Sequence, residues 1–187
     1  GVLWFTGQNG VFGRLDPAEG VVRTWDAPRG RGPYGICTAP DGTVYFASLA
    51  GSYIGRIDGD DGSVTVLAPP TPGQGARRLW PDSAGRLWIS EYNAGQLGRY
   101  DPAAGAWTEW RLPGDNPRPY AVYVDERDRV WLSDTAADTL VRFDPETEEF
   151  ATIPISRPSN VAQLAGAPGV IWGAERGRDH LVSVHYD

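Results

Sequence analysis

One phrase centred on an aromatic residue returns five times along the chain, and this repeat limits the fold more than any other feature. The aromatic anchors lie 41, 43, 43 and 41 residues apart, at Trp4, Tyr45, Trp88, Trp131 and Trp172. Repeats of about 40 to 45 residues built from short strands are typical of β-propellers, with one four-stranded blade per repeat. Because a single blade cannot bury its own faces, such repeats must pack side by side.

The second repeat shows the strand pattern within one blade most clearly. Its residues 34–38, 43–48, 53–58 and 63–67 are short runs of β-branched and aromatic side chains, separated by Gly, Pro and Asp. Such runs predict four strands joined by tight turns, which we name A to D from the inner to the outer edge of the blade. The sequence therefore predicts an all-β protein, a β-propeller of four-stranded blades.

The repeats predict a single propeller domain. Its repeats lie near residues 1–29, 30–71, 72–115, 116–156 and 157–187. The first repeat lacks strand A and the last lacks strand D, so about 4.5 blades are expected. Open blade edges expose unpaired backbone groups, which something should cover. We expect an N-terminally incomplete arc of a larger ring, whose missing strands come from preceding residues or from another chain.

The composition excludes several classes of protein. A net charge of −7 argues against a nucleic-acid surface, which needs a clustered basic face. No run approaches the roughly 20 apolar residues of a membrane span. The single Cys37 cannot form an internal disulfide, so a cytoplasmic location and a periplasmic or exported one both stay open. No organic cofactor is expected.

Three phrases resemble the virginiamycin B lyase (streptogramin lyase) family. They are residues 33–36 (Pro-Tyr-Gly-Ile), 88–99 (beginning Trp-Ile-Ser-Glu) and 118–122 (Arg-Pro-Tyr-Ala-Val). The likeness recurs in every repeat and covers essentially the whole chain. It implies a seven-bladed propeller that ends after strand C of the last blade, with the N-terminus donating strand D. On that mapping the chain is the C-terminal part of the ring.

The resemblance also implies a reaction, the Mg²⁺-assisted opening of a cyclic depsipeptide antibiotic at its ester by elimination, which confers antibiotic resistance. This carbon–oxygen lyase chemistry needs a base and a metal that stabilises the developing enolate. The family places histidines at the inner-strand starts of the last two blades and a carboxylate after the final strand B. Those positions correspond here to Tyr120, Asn160 and Glu175, the candidate catalytic residues, whereas His180 and His185 are expected near the last strand C.

Carboxylates recur three residues after the anchors of the last three repeats, at Glu91, Asp134 and Glu175. We expect them on one face of the ring near its axis, where grouped carboxylates suit Mg²⁺ or Ca²⁺. Two alternatives stay open. The carboxylates can raise one another's pKa and give one an acid–base role, or they can simply cap strand ends or pair with arginines, of which Arg77 and Arg78 are the obvious partners.

Tyr34, Arg77 and Tyr120 occupy matching strand-A positions, 43 residues apart. In a propeller this position faces the mouth of the ring, where loops converge and ligands commonly bind. Tyr and Arg are typical recognition residues there, although each is also an ordinary packer between blades. We predict these three residues as ligand contacts.

Three readings of function therefore remain. The chain is a streptogramin lyase-like enzyme, a non-catalytic propeller that binds a small molecule or a protein partner, or an assembly subunit completed by another chain.

Overall fold

A computed structural model describes residues 1–187 as eighteen β-strands in five antiparallel sheets. It contains no α-helix, and so no helix that is long and apolar enough to cross a membrane. The strands are β1 (Leu3–Gly7), β2 (Val11–Asp16), β3 (Val21–Asp26), β4 (Pro33–Thr38), β5 (Val44–Ser48), β6 (Tyr53–Ile57), β7 (Val64–Leu67), β8 (Ala76–Pro81), β9 (Leu87–Glu91), β10 (Gln96–Asp101), β11 (Ala106–Arg111), β12 (Pro119–Val124), β13 (Val130–Asp134), β14 (Thr139–Asp144), β15 (Glu149–Pro154), β16 (Val161–Ala167), β17 (Val170–Glu175) and β18 (His180–His185).

The sheets follow the repeat pattern of the sequence. Strands β1–β3 form blade 1, β4–β7 blade 2, β8–β11 blade 3, β12–β15 blade 4 and β16–β18 blade 5. Within each blade every strand pairs with its neighbour in the chain, and the first and last blades have three strands each. The predicted all-β fold of propeller blades is confirmed.

The A strands of successive blades touch one another and form the inner edge of the arc. β4 contacts β8, β8 contacts β12, and β12 contacts β16. Each blade stands radially, so its two faces look at the blades beside it. Side chains at the start of an A strand therefore lie at the inner edge, where neighbouring blades meet.

The core lies between the blades and is built from the aromatic anchors. Trp88 of blade 3 is fully buried and packs with Val122 and Phe143 of blade 4. Trp131 of blade 4 is likewise buried against Leu164 of blade 5. Each large side chain buried in this way contributes about 1.5–3 kcal/mol, which explains why the anchor position repeats as Trp or Tyr.

An aspartate in the A–B turn fixes the anchor in the middle blades. Asp82 Oδ2 accepts a hydrogen bond of 2.9 Å from the indole Nε1 of Trp88. Asp125 Oδ2 accepts the same bond, also 2.9 Å, from Trp131. A buried indole N–H needs such a partner, so each turn aspartate holds its tryptophan against the next blade.

Hydroxyl groups on the B strands fix the starts of the neighbouring A strands. Thr6 Oγ1 donates to the backbone oxygen of Tyr34 at 2.6 Å, and Ser90 Oγ donates to that of Tyr120 at 2.7 Å. These bonds join one blade to the next at the inner edge. They hold the two tyrosines in place there.

Candidate functional site

Seven aromatic and cationic side chains gather where the A strands begin. We call this group the mouth cluster: Tyr34, Arg77, Arg78, Tyr92, Arg118, Tyr120 and Arg176. Four members lie on strands β4, β8 and β12, one lies directly before β12, and two lie in the B–C turns after β9 and β17. The structure thus brings together Tyr34, Arg77 and Tyr120, the three residues predicted as ligand contacts.

Arg77 lies at the centre of the mouth cluster and is held by three rings. Its Cζ is 3.6 Å from the ring centroid of Tyr120, 4.5 Å from that of Tyr92 and 5.0 Å from that of Tyr34. A guanidinium over aromatic faces is stabilised by their quadrupoles, the more so where water is excluded. Its Nε is buried and has no hydrogen-bond partner in the chain. The aromatic contacts therefore hold the cation but leave a donor free.

Each of the three rings also carries a second arginine. Arg78 lies 5.2 Å from the Tyr34 centroid, Arg118 lies 5.5 Å from that of Tyr92, and Arg176 lies 5.6 Å from that of Tyr120. The four guanidinium groups therefore surround one patch of tyrosine surface.

Backbone and amide oxygens hold these outer arginines in place. Arg78 Nε donates to the oxygen of Ala162 at 3.2 Å. Arg118 Nη1 donates to the oxygens of Tyr92 and Asn93, both at 3.4 Å. Arg176 donates to Asn160, from Nε to the backbone oxygen at 3.3 Å and from Nη2 to Oδ1 at 3.1 Å. All of these acceptors are neutral, so the positive charges stay uncompensated.

No carboxylate pairs with any arginine of the mouth cluster. The chain contains three ion pairs, Arg86–Asp82, Arg127–Glu126 and Arg129–Asp125, and all lie elsewhere. The alternative in which the repeated carboxylates pair with Arg77 and Arg78 is therefore wrong. A chain of net charge −7 concentrates four positive charges at its inner edge.

Tyr120 is the most buried tyrosine of the mouth cluster, with 7% of its surface exposed. Its hydroxyl is hydrogen-bonded to that of Tyr34. Burial alone would raise the pKa of the Tyr120 phenol, but hydrogen bonds from Tyr34 and Arg77 and the charges of Arg77 and Arg176 outweigh burial and lower the pKa. The phenol therefore ionises more readily than that of an ordinary tyrosine, and only its ionised form can accept a proton.

The three repeated carboxylates do not gather into one group of acidic side chains. Glu91 lies against strand β10, because a Cβ added at Gly98 would be 2.5 Å from its Oε1. Asp134 Oδ1 accepts the backbone N–H groups of Arg118 at 2.8 Å and Ala136 at 2.9 Å, so it caps a strand end. Glu175 is buried, and its Oε1 has no hydrogen-bond partner. Each carboxylate thus belongs to its own blade.

These positions do not form a ready ligand set for a divalent cation. No group of three or more His, Cys, Asp or Glu side chains lies close enough together to hold a metal ion. Burial, together with the nearby charge of Glu109, raises the pKa of Glu91 from 4.5 to about 8, so this carboxyl group is largely protonated at neutral pH. The carboxyl that raises it comes from strand β11 rather than from Asp134 or Glu175. Mg²⁺ or Ca²⁺ at these residues remains a prediction.

The strand register gives Ala162, rather than Asn160, as the position in blade 5 that is equivalent to Tyr120. Val122 and Leu164 pair with equivalent residues of β13 and β17, and two residues before Leu164 lies Ala162, the counterpart of Tyr120. Asn160 precedes strand β16 with a left-handed φ of 52°. Its amide oxygen instead holds Arg176, which lies beside Tyr120. Asn160 is therefore tied to the mouth cluster through an arginine.

The histidines lie where the sequence predicts them. His180 and His185 begin and end strand β18 and are exposed. Sequence reasoning missed Tyr92, Arg118 and Arg176, which lie outside the strands. Tyr92 and Arg176 each follow a tryptophan anchor by four residues, and this shared position is the signal that could have found them.

Solved structures with the same architecture include lyases and extracellular domains. Virginiamycin B lyase from Staphylococcus aureus matches with a TM-score of 0.87 and 23% identity over 100% of this chain and 67% of that one. A catalytically inactive variant of the same enzyme with quinupristin matches with 0.87 and 24%, over 98% and 66%. The extracellular domain of a one-component system from B. thetaiotaomicron matches with 0.80 and 15%, over 100% and 26%. At these identities the likeness shows the fold.

The chain spans about two thirds of the length of the lyases that it resembles. No curated protein matches its sequence significantly. The sequence profile of the Virginiamycin B lyase family matches residues 1–187, the whole chain. The chain therefore belongs to the virginiamycin B lyase family.

Proposed function

We propose that the mouth cluster is the ligand-binding site of this propeller and that it binds a small molecule through an acceptor oxygen. One observation carries the proposal: Arg77 is fixed by three tyrosine rings while its buried Nε has no partner. A buried donor without a partner costs about 1–3 kcal/mol, and a ligand oxygen would remove that cost. Converging loops at the inner edge of a propeller suit such a ligand.

A second candidate function is carbon–oxygen lyase activity, the reaction that the family resemblance implies. The lowered pKa of Tyr120 beside Arg77 and Arg176 favours it. The Tyr120 phenolate would take the proton from the carbon next to the carbonyl group. The electron pair then forms a carbon–carbon double bond, and the carbon–oxygen bond breaks to release a carboxylate. Arg77 would stabilise the negative oxygen that develops.

The family also implies Mg²⁺ for this reaction. Of the predicted ligands, Glu91 and Glu175 keep buried oxygens without a partner, but the side chains present do not assemble a site around them. A bound cation would supply electrostatic stabilisation of the developing enolate. Four guanidinium groups already place positive charge at the mouth cluster.

Incubation with quinupristin distinguishes the two functions. Chromatography and mass spectrometry follow the antibiotic with added Mg²⁺ and with a chelator. A linear product of unchanged mass establishes elimination, and its loss in Tyr120→Phe assigns the base. A product with added water indicates an esterase instead. An intact ring that nevertheless binds saturably supports ligand binding without catalysis.

Calorimetric titration with quinupristin tests the binding site itself. Arg77→Gln is expected to weaken binding, because it removes both the guanidinium and its free Nε donor. Arg56→Gln is the matched control, since Arg56 is exposed on strand β6, outside the mouth cluster. Equal affinities for all three proteins would contradict the proposal. Sedimentation of the chain as an obligate complex would instead favour the assembly-subunit alternative.

A further inference from the structure

We infer that the mouth cluster selects a compact oxyanion, a carboxylate or phosphate group, on its small-molecule ligand. The inference rests on the proposed function, because it names the chemical class of the ligand that the same site binds. It goes further because an acceptor oxygen alone can be neutral, as in an ester or amide carbonyl group.

The positive charges of the mouth cluster are not balanced by carboxylates of the chain. Each of the three tyrosine rings lies beside Arg77 and one further arginine, with every Cζ to centroid distance between 3.6 and 5.6 Å. None of the four guanidinium groups has a carboxylate within 4.0 Å, although 24 acidic residues are present in the chain. Like charges brought together at a partly buried site repel one another unless an anion joins them. The cluster therefore lacks an anionic partner.

The outer arginines of the mouth cluster are held in place by neutral oxygens. Neutral oxygens take the Nε of Arg78, the Nη1 of Arg118, and the Nε and Nη2 of Arg176. The remaining terminal N–H groups make no hydrogen bond within the chain. A guanidinium that is fixed on one edge and free on the other presents an ordered pair of donors. Carboxylate and phosphate oxygens match such donors closely.

The space between the three tyrosine rings is already taken by a cation of the chain. Three tyrosine rings around one point would form a cage for an ammonium group. Here the guanidinium of Arg77 already fills that position, 3.6 Å from the Tyr120 centroid. A cationic ligand would meet a like charge in the cage and three more around it. The tyrosine cage is therefore not available to a small ammonium ion.

Titration of the full chain with simple ions at low salt tests the inference. The probes are inorganic phosphate, succinate and, as the cation, tetramethylammonium chloride. We expect saturable binding of phosphate or succinate, with the tighter of the two showing which oxyanion the site prefers. Loss of one charge-assisted contact in Arg118→Gln or Arg176→Gln should weaken binding about 10- to 100-fold. Arg56→Gln should leave it unchanged, and unfolding midpoints check that each variant is folded.

Binding of tetramethylammonium with equal affinity, or binding of neither anion, would overturn the oxyanion assignment. Unchanged anion binding in both arginine variants would overturn it as well. The proposed function fails separately. Quinupristin binding that needs Arg77 but is indifferent to Arg118→Gln and Arg176→Gln keeps the ligand site and rejects the oxyanion, whereas indifference to Arg77→Gln rejects the site itself.

Discussion

We expect the natural chain to lose stability as pH rises and the variant Glu91→Gln to abolish that loss. Glu91 is fully buried, and burial first, then the charge of Glu109, raises its pKa from 4.5 to about 8. Between these two values the folded chain holds a proton that the unfolded chain has released. The free energy of unfolding therefore falls with rising pH across this window and is unaffected by Glu91 below it.

The size of the effect follows from the two pKa values. A difference of about 3.5 between the folded and unfolded states corresponds to about 4–5 kcal/mol between pH 4.5 and pH 8. Glutamine has nearly the shape of the protonated acid and does not titrate. The variant should therefore keep, above pH 8, the stability that the natural chain loses there.

Urea unfolding at several pH values from about 5 to about 9 measures this difference. Glu149→Gln makes the same substitution at an exposed position of strand β15 and should follow the natural chain throughout. A gap that opens in favour of Glu91→Gln as pH rises is the expected result. If all three proteins lose stability in parallel, the carboxyl of Glu91 is not held protonated, and the reasoning from its burial is wrong.

Two further substitutions test the packing that positions the mouth cluster. Asp125→Ala removes the acceptor of the Trp131 indole and should lower the free energy of unfolding by about 2–4 kcal/mol in urea titrations. The control Asp41→Ala lies in the exposed turn of blade 2 and should lower it far less. Gly98→Ala places a Cβ 2.5 Å from the buried carboxyl oxygen Oε1 of Glu91. This overpacking should lower the free energy of unfolding by about 1–3 kcal/mol, and the unfolding midpoint with it. Gly59→Ala meets no atom within 4 Å and should leave the midpoint unchanged; equal effects of the two glycine substitutions would refute the contact.

The repeat alone predicts most of the fold, because the strand pattern of one blade transfers to all the others. It gives the order of strands, the three-stranded first and last blades, and the gathering of Tyr34, Arg77 and Tyr120 at the inner edge. These residues share one position in consecutive A strands, and A strands of neighbouring blades touch. A residue that repeats on the inner strand must therefore meet its own counterparts.

The same reasoning fails for the repeated carboxylates, since it locates a residue along a strand without giving the direction of its side chain. Side chains alternate between the two faces of a strand, and both faces of a blade look at neighbouring blades. Glu91 shares its face with Ile89 and lies between blades, opposite to Trp88 and Ser90. The repeat therefore gives the shared position of the carboxylates along their strands but not whether their side chains meet.

The roles of residues in the segments that connect the strands were not predicted from the sequence, for a different reason. Arg118 and Arg176 lie outside the strands, and their contacts depend on the path of each turn. The left-handed backbone of Asn160, with a φ of 52°, could not be read from the residue type alone. In the structure the amide oxygen of Asn160 accepts a hydrogen bond from Arg176.

The central claim is that Arg77, held among three tyrosines, binds the ligand of this propeller. Calorimetric titration of quinupristin into the natural chain, Arg77→Gln and Arg56→Gln tests it most directly. The account predicts saturable binding that Arg56→Gln preserves and Arg77→Gln weakens at least tenfold, since a charged donor is lost. Binding of equal strength to the folded Arg77→Gln protein would contradict it.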